Sequence, residues 1–263
     1  LKENMLELDS EVKVLGDLPS KGLKEGPYMI QRNGIYYLTY PHVENKIERL
    51  EYAIGDNPLG PFKVMGAIMD ESPTGCWTNH HSIIQYKSQW YLFYHHNDYS
   101  PKFDKARSVR IDSLSFHQDG TIRKVVPTWR GVGLTPARTN IQLDRYTSVG
   151  VGASIDLLDS VNAFAGWKTL LSRKNAWVRY NSVDFTEKNY TILKVRIKAV
   201  QGGKIEILTA DAANKIWAMI DVDADGDWKV VQTKIKRSPA GIKHLIVKSA
   251  DDRLVEIDWL RFE

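Results

Sequence analysis

The chain has 263 residues, 43% of them hydrophobic and 26% charged, with 36 basic residues against 32 acidic ones for a formal charge of +4. That balance is ordinary for a globular protein and excludes a dense basic surface of the kind that holds nucleic acid. No apolar run approaches the ~18 residues needed to span a bilayer. Cys76 is the sole cysteine, which excludes an internal disulfide.

The chain opens at Leu1 on a stretch that is polar and strand-like at once. It reads as the middle of a domain, and any targeting segment is expected upstream. Residues 1–20 carry enough strand pattern for the outer edge of a sheet. After them comes a self-match displaced by 54 residues. Tyr36-Tyr37-Leu38-Thr39-Tyr40 recurs as Trp90-Tyr91-Leu92-Phe93-Tyr94, Met29-Ile30-Gln31 as Ile83-Ile84-Gln85, Gly34 as Ser88 and Phe62 as Phe116. Short apolar strands repeating at this period are the signature of β-propeller blades. Residues 27–40 and 81–95 each read as two strands around a tight turn, Arg32-Asn33-Gly34 or Tyr86-Lys87-Ser88. A third strand (Arg49–Ile54, Arg107–Ile111) and a fourth near Phe62 or Phe116 complete each unit. Two blades and a fragment cannot close a ring, so the first domain is expected to be incomplete.

Gly, Pro, Thr and Arg between Pro127 and Asn140 make a linker, placed at residues 131–137, and beyond it the period is lost. Leu193-Val195-Ile197-Ala199 alternate with Lys194, Arg196 and Lys198, a strand with one wet face. Further strands are expected at Lys204–Thr209, Ile216–Val222, Lys229–Lys234, His244–Lys248 and Val255–Phe262, the spacing of an antiparallel sandwich. The fold expected is all-β, with a partial propeller over residues 1–130 and a β-sandwich over residues 138–263.

The displacement pairs Glu25-Gly26-Pro27 with Asn79-His80-His81, so Glu25 and His80 are expected to face one central site. A carboxylate walled by Tyr28 and neighbouring aromatics is partly desolvated, which raises its pKa and suits it to protonating a glycosidic oxygen. The plain alternative is a turn glutamate on the surface, the commoner setting. One of His80 and His81 points to the axis and the other away, because strand side chains alternate. The axial imidazole either binds a ligand or metal, or is a satisfied core histidine. Tyr94-His95-His96 is read as core. Asp221-Val222-Asp223-Ala224-Asp225-Gly226 opens like a calcium loop, but position 12 is Gln232 rather than Glu, and an acidic turn is favoured. Trp167, Trp177, Trp217, Trp228 and Trp259 are candidates for a sugar platform, with Trp228 beside the Asp/Gly turn and Trp167 after a glycine.

Glu25-Gly26-Pro27-Tyr28, Tyr36-Tyr37-Leu38, Asn79-His80-His81-Ser82-Ile83 and Trp90-Tyr91-Leu92-Phe93-Tyr94-His95 together resemble glycoside hydrolase family 43. The resemblance implies the C-terminal part of a five-bladed propeller that acts with inversion on arabinan, arabinoxylan and xylan. It implies Glu25 as general acid, His80 on the axis near the sugar and near a calcium or other ion, and Arg107 near the sugar. The family's general base and second Asp come from earlier blades, so this chain alone is expected to be inactive.

Residues 138–263 resemble carbohydrate-binding module family 6, a jelly-roll sandwich. The matching segments are Ile141-Gln142-Leu143-Asp144, Asn175–Tyr180, Val183-Asp184-Phe185 and Glu256–Phe262. Here the resemblance implies a structural calcium held by Gln142, Asp144 and Asp258, and a sugar clamped between Trp167 and Trp228. An Asn frequent in these modules is Glu256 in this chain. The activities implied are α-L-arabinofuranosidase or β-xylosidase, in a secreted or periplasmic monomer. The alternative is a non-catalytic xylan- or arabinan-binding protein whose propeller remnant is scaffold.

Overall fold

The computed structural model describes residues 1–15, 21–72, 75–99, 105, 107–187, 189–210, 215–235 and 239–263. The chain divides into two compact units, Leu1–Pro127 and Thr128–Glu263. Both are all-β; the sole helical element among the described residues is a 3-10 turn at Ala163–Ala165.

The first unit holds two antiparallel sheets. One has four strands in sequential order: β1 (Tyr28–Arg32), β2 (Ile35–Glu44), β3 (Ile47–Gly55) and β4 (Lys63–Met69). The other has three: β5 (His81–Tyr86), β6 (Gln89–His96) and β7 (Ser108–Leu114). The hairpins form where the turn chemistry puts them. Asn33 and Gly34 both take positive φ, at 52° and 81°, which a two-residue turn matching the strand twist requires. Strand alternation sends Ile30, Tyr37, Leu50, Tyr52, Ile83, Leu92 and Leu114 into one apolar core.

The repeat holds for two strands and then slips. Tyr37 pairs with Ile54, whereas Tyr91 pairs with Ser113, so the third strands are displaced by 59 residues rather than 54. Longer chain between β6 and β7 absorbs the difference. Phe116 therefore does not take the place of Phe62. It bridges to Ile122 and packs edge-on against Tyr37 and Trp90, with Phe62 in a separate cluster. No fourth strand joins β5–β6–β7 among the described residues. The edge strand expected in residues 1–20 is absent from residues 1–15, where Leu6, Leu8, Val12 and Val14 are exposed. A strand with no partner for its ladder gains nothing from extending.

The second unit is a two-sheet sandwich built from β8 (Thr135–Pro136), β9 (Ile141–Gln142), β10 (Ser148–Val149), β11 (Ala153–Leu157), β12 (Trp167–Leu171), β13 (Trp177–Asp184), β14 (Ile192–Lys198), β15 (Gly203–Thr209), β16 (Ile216–Val222), β17 (Lys229–Lys234), β18 (Ile242–Ser249) and β19 (Val255–Phe262). One sheet runs β10-β13-β18-β15-β16 with β8 against β13. The other runs β11-β12-β19-β14-β17 with β9 against β19. Leu193, Val195 and Ile197 point inward and their basic neighbours outward, as the alternation requires. They meet Val178, Ile207, Val247, Ile257 and Phe262 in a core between the sheets. The stretch placed as linker is built into this unit at its end. β8 runs parallel to Val183–Asp184, and Ala137 is fully buried.

Two irregularities aim polar side chains. Arg196 pairs with Trp259 and Ile197 with Ile257, which leaves Asp258 as the extra residue of a β-bulge. The bulge shifts the alternation, so Ile257 and Leu260, three apart, both face the core. The Asp221–Gly226 turn joins β16 to β17 across the two sheets instead of closing a hairpin, and Lys229 binds Asp223 at 2.9 Å and Asp225 at 2.7 Å.

Candidate functional site

In the first unit the structure brings Glu25 and His80 together. Glu25 precedes β1 on a turn in which Gly26 has φ +63°, and a Cβ there would lie 3.0 Å from the His80 ring. Glycine is thus required both by the backbone and by the close approach. His80 Nε2 stands 3.3 Å from Glu25 Oε1. The Glu25 side chain is 71% exposed and that of His80 40% exposed. The desolvating wall expected around Glu25 is therefore not built by the described residues of this chain.

His81 turns the other way. Its Nε2 lies 2.7 Å from Thr39 Oγ1, whose hydroxyl donates to the Tyr28 carbonyl at 2.9 Å. With that proton committed, Nε2 is the donor, and the buried Nδ1 has no partner among the described residues. Burial, with His80 beside it, lowers the His81 pKa to about 4. His95, 8% exposed, is lowered to about 4 by burial first and then by the Arg107 charge. His96 sits 3.5 Å from Asp98, which also binds Arg110. Arg107 itself is exposed, and its charge acts on both His95 and Glu48.

Glu48 went unnoticed in the sequence. It is 3% exposed, and burial pushes its carboxyl up to about 7 against the Asn79 backbone N–H that bonds to it. The signal was present in the phase of β3. Leu50 and Tyr52 are core residues at alternate positions, which places Glu48 on their face.

In the second unit a cleft of about 370 Å³ gathers several of the expected residues: Gln142, Asp144, Asp258, Trp167, Arg196 and Asn140 line it. Asp144 and Asp258 are 4% and 6% exposed. The Arg196 guanidinium is ion-paired with Asp258 and lies 4.9 Å from the centre of the Trp228 ring. Trp167 lines the cleft directly, and Trp228 meets it through Arg196. Glu256 pairs with Lys168, the neighbour of Trp167, at 2.7 Å.

The pattern of the glycosyl hydrolases family 43 matches residues 1–122, and that of the carbohydrate binding module family 6 matches residues 152–263. Residues 1–122 are thus similar to glycosyl hydrolase family 43, and residues 152–263 to carbohydrate-binding module family 6. A β-xylosidase of Xylanibacter ruminicola is 41% identical over 103 residues, which is 38% of this chain and 30% of that protein. An arabinoxylan arabinofuranohydrolase of Paenibacillus polymyxa is 22% identical over 90% of this chain and 42% of its own length. Among solved structures, a family 43 arabinoxylan arabinofuranohydrolase from Bacillus subtilis in complex with cellotetraose shares the fold. Its TM-score is 0.54 at 20% identity, over 92% of this chain and 54% of that one. The chain thus spans 30% to 42% of the two curated relatives.

Among the described residues of either unit no group of three His, Cys, Asp or Glu is placed to bind a metal, and His80 lies 3.3 Å from Glu25. Within the family 6 part, the cleft offers oxygen donors from Gln142, Asp144 and Asp258, the hard ligands that calcium takes. Arg196 pairs with Asp258 and Arg145 lies 4.0 Å from Asp144, so a cation entering here would share the two carboxylates with the two guanidinium groups.

Proposed function

We propose that this chain is the C-terminal portion of an inverting glycoside hydrolase of the α-L-arabinofuranosidase or β-xylosidase type, with an appended carbohydrate-binding module. The polymers it meets are arabinan, arabinoxylan or xylan, which places it outside the cytoplasm, secreted or periplasmic, as a monomer. The observation that carries the reading is the Glu25 carboxyl held 3.3 Å from His80 in the family 43 segment. Glu25 gives its proton to the departing glycosidic oxygen while His80 orients the carboxyl, and Arg107 contacts the sugar. Inversion needs a second carboxylate roughly 6.5–9.5 Å away, across a water. We assign that base to the part of such enzymes that this chain does not span, so the chain alone hydrolyses nothing. The test is turnover in an enzyme carrying this chain with Glu25 replaced.

Sugar binding is assigned to the second unit through Trp167 and Trp228. A stacking aromatic contributes on the order of 1–2 kcal/mol. Trp167→Ala or Trp228→Ala is therefore expected to weaken retention of the chain on xylan or arabinan affinity gels about tenfold. Unaltered retention in both variants rules out the platform. Full retention with no hydrolysis in any enzyme carrying the chain would instead favour the non-catalytic reading.

Calcium held by Gln142, Asp144 and Asp258 would tie β9 and the segment after it to β19. It supplies structural cross-linking and no chemistry. At a hundredfold excess over its Kd, such a ligand adds about 2.7 kcal/mol. Calcium chloride is accordingly expected to raise the melting temperature of the second unit, and Asp144→Asn to remove the gain. An identical melt with calcium and with chelator excludes the site.

A further inference from the structure

Beside the Glu25–His80 pair lies a second acid of this chain, Glu48, that the proposed reaction does not use. The Glu48 backbone N–H donates to the Cys76 carbonyl at 3.2 Å, and its side-chain carboxylate accepts the backbone N–H of Asn79. Both contacts fall on residues 76–79, the segment that delivers His80 to the start of β5. Asn79 is fully buried and its Oδ1 accepts the His95 backbone N–H at 3.4 Å. Glu48 Oε2, Asn79 Nδ2 and His95 Nε2 are all buried with no partner among the described residues.

An orphaned buried polar atom costs about 1–3 kcal/mol. Three in adjoining residues, one belonging to a carboxyl, are a poor choice for stability alone. An apolar residue of similar size on β3 would pack with Leu50 and Tyr52 at no such cost. What an apolar residue cannot do is accept the Asn79 N–H. Without that bond, the backbone that carries His80 loses a contact to β3 while the Glu48 N–H to Cys76 carbonyl bond remains.

We propose that Glu48 is a positioning residue: by holding the Asn79 N–H it sets the His80 ring against the Glu25 carboxyl. Glu48 touches neither sugar nor reacting atoms, and it acts through the segment 76–80. The charged groups facing it are Glu25 and Arg107. The proposal rests on reading Glu25–His80 as a working pair, but its test reads geometry rather than turnover.

The experiment follows the ring signals of His80 by NMR in the full chain, at one fixed pH, in wild type and in E25Q, E48Q and E48M. E25Q defines the signal of a His80 that has lost its carboxylate. E48M removes the acceptor at similar volume and is expected to move the signal most of the way to the E25Q position. E48Q keeps an oxygen acceptor without the charge, so it should move the signal less and in the same direction. Protected amides over β5 and β6 show that the fold persists. His80 signals unmoved in E48M and E48Q overturn the proposal. Should E48M not fold, E48Q decides alone. A His80 signal unchanged even in E25Q means the pair does not exist in solution, and the proposal falls with it. Loss of turnover in E25Q, measured separately, bears on the acid assignment alone.

Discussion

Glu25→Gln, in an enzyme that carries this chain, is expected to lower turnover of alkyl glycosides and polymer ends by roughly 10²–10⁴-fold, the range for losing a positioned general acid. Gln keeps the size of the side chain and can still hydrogen-bond to His80, so binding should be largely intact and KM little altered. What it lacks is the proton. The loss should therefore follow the leaving group, large for alkoxides of high pKa and small for nitrophenolates, which depart unprotonated. Comparing kcat for xylosides and arabinofuranosides of both kinds separates this from damage to the fold, which would lower both alike. Undiminished turnover of the poor leaving groups by E25Q removes Glu25 from the mechanism.

The meeting of Glu25 with His80 was legible in the sequence because it depends on the first two strands of each repeat. There the 54-residue displacement is kept, and the turns Asn33-Gly34 and Lys87-Ser88 are equivalent. The third strands were not legible at this level. Pairing between β6 and β7 is fixed by which side chains reach the core, and Leu114 fills the place that Gly55 occupies in the other sheet. A match of Phe62 to Phe116 is a coincidence of residue type that packing overrides. Glu48 was missed for a related reason. The segment Ile47-Glu48-Arg49-Leu50-Glu51 shows three charged residues among five and looks like a wet strand, until the phase is taken from Leu50 and Tyr52.

In the second unit the strands were legible because β14 alternates strictly, and so largely does β16. The cleft was legible in its ingredients but not in its arrangement. The spacing Val255-x-Ile257-x-x-Leu260-x-Phe262 breaks the period of two and marks the bulge that turns Asp258 toward Gln142. Nothing in the spacing announces that Arg196, one of three alternating basic residues, would pair with Asp258 and lie against Trp228. That contact is set by tertiary geometry, which brings β14, β19 and the turn before β17 to one place.

The first unit should lose stability as the pH falls from about 6.5 to 4, and the cause lies in His81 and His95. Both have folded-state pKa values depressed to about 4, chiefly by burial. Between the unfolded and folded values the unfolded chain binds the proton and the folded one does not, so each histidine favours unfolding as acid is added, by about 3 kcal/mol once fully expressed. Glu48 runs the opposite way. Its value is raised to about 7, so the folded state holds the extra proton between 7 and the ordinary carboxylate range, and stability grows as the pH falls through that window. Two groups against one leave a net loss of about 3 kcal/mol by pH 4. Glu48→Gln removes the opposing contribution. The variant should be more stable than wild type at pH 8, where wild type carries a buried charge, and should fall more steeply on acidification. Amide exchange over β1–β7 between pH 8 and 4.5 reads this directly, with the strands of the second unit as internal reference. If wild type and E48Q show the same pH dependence over β1–β7, Glu48 is already ionised without penalty, and the burial that singles it out does not isolate it from water.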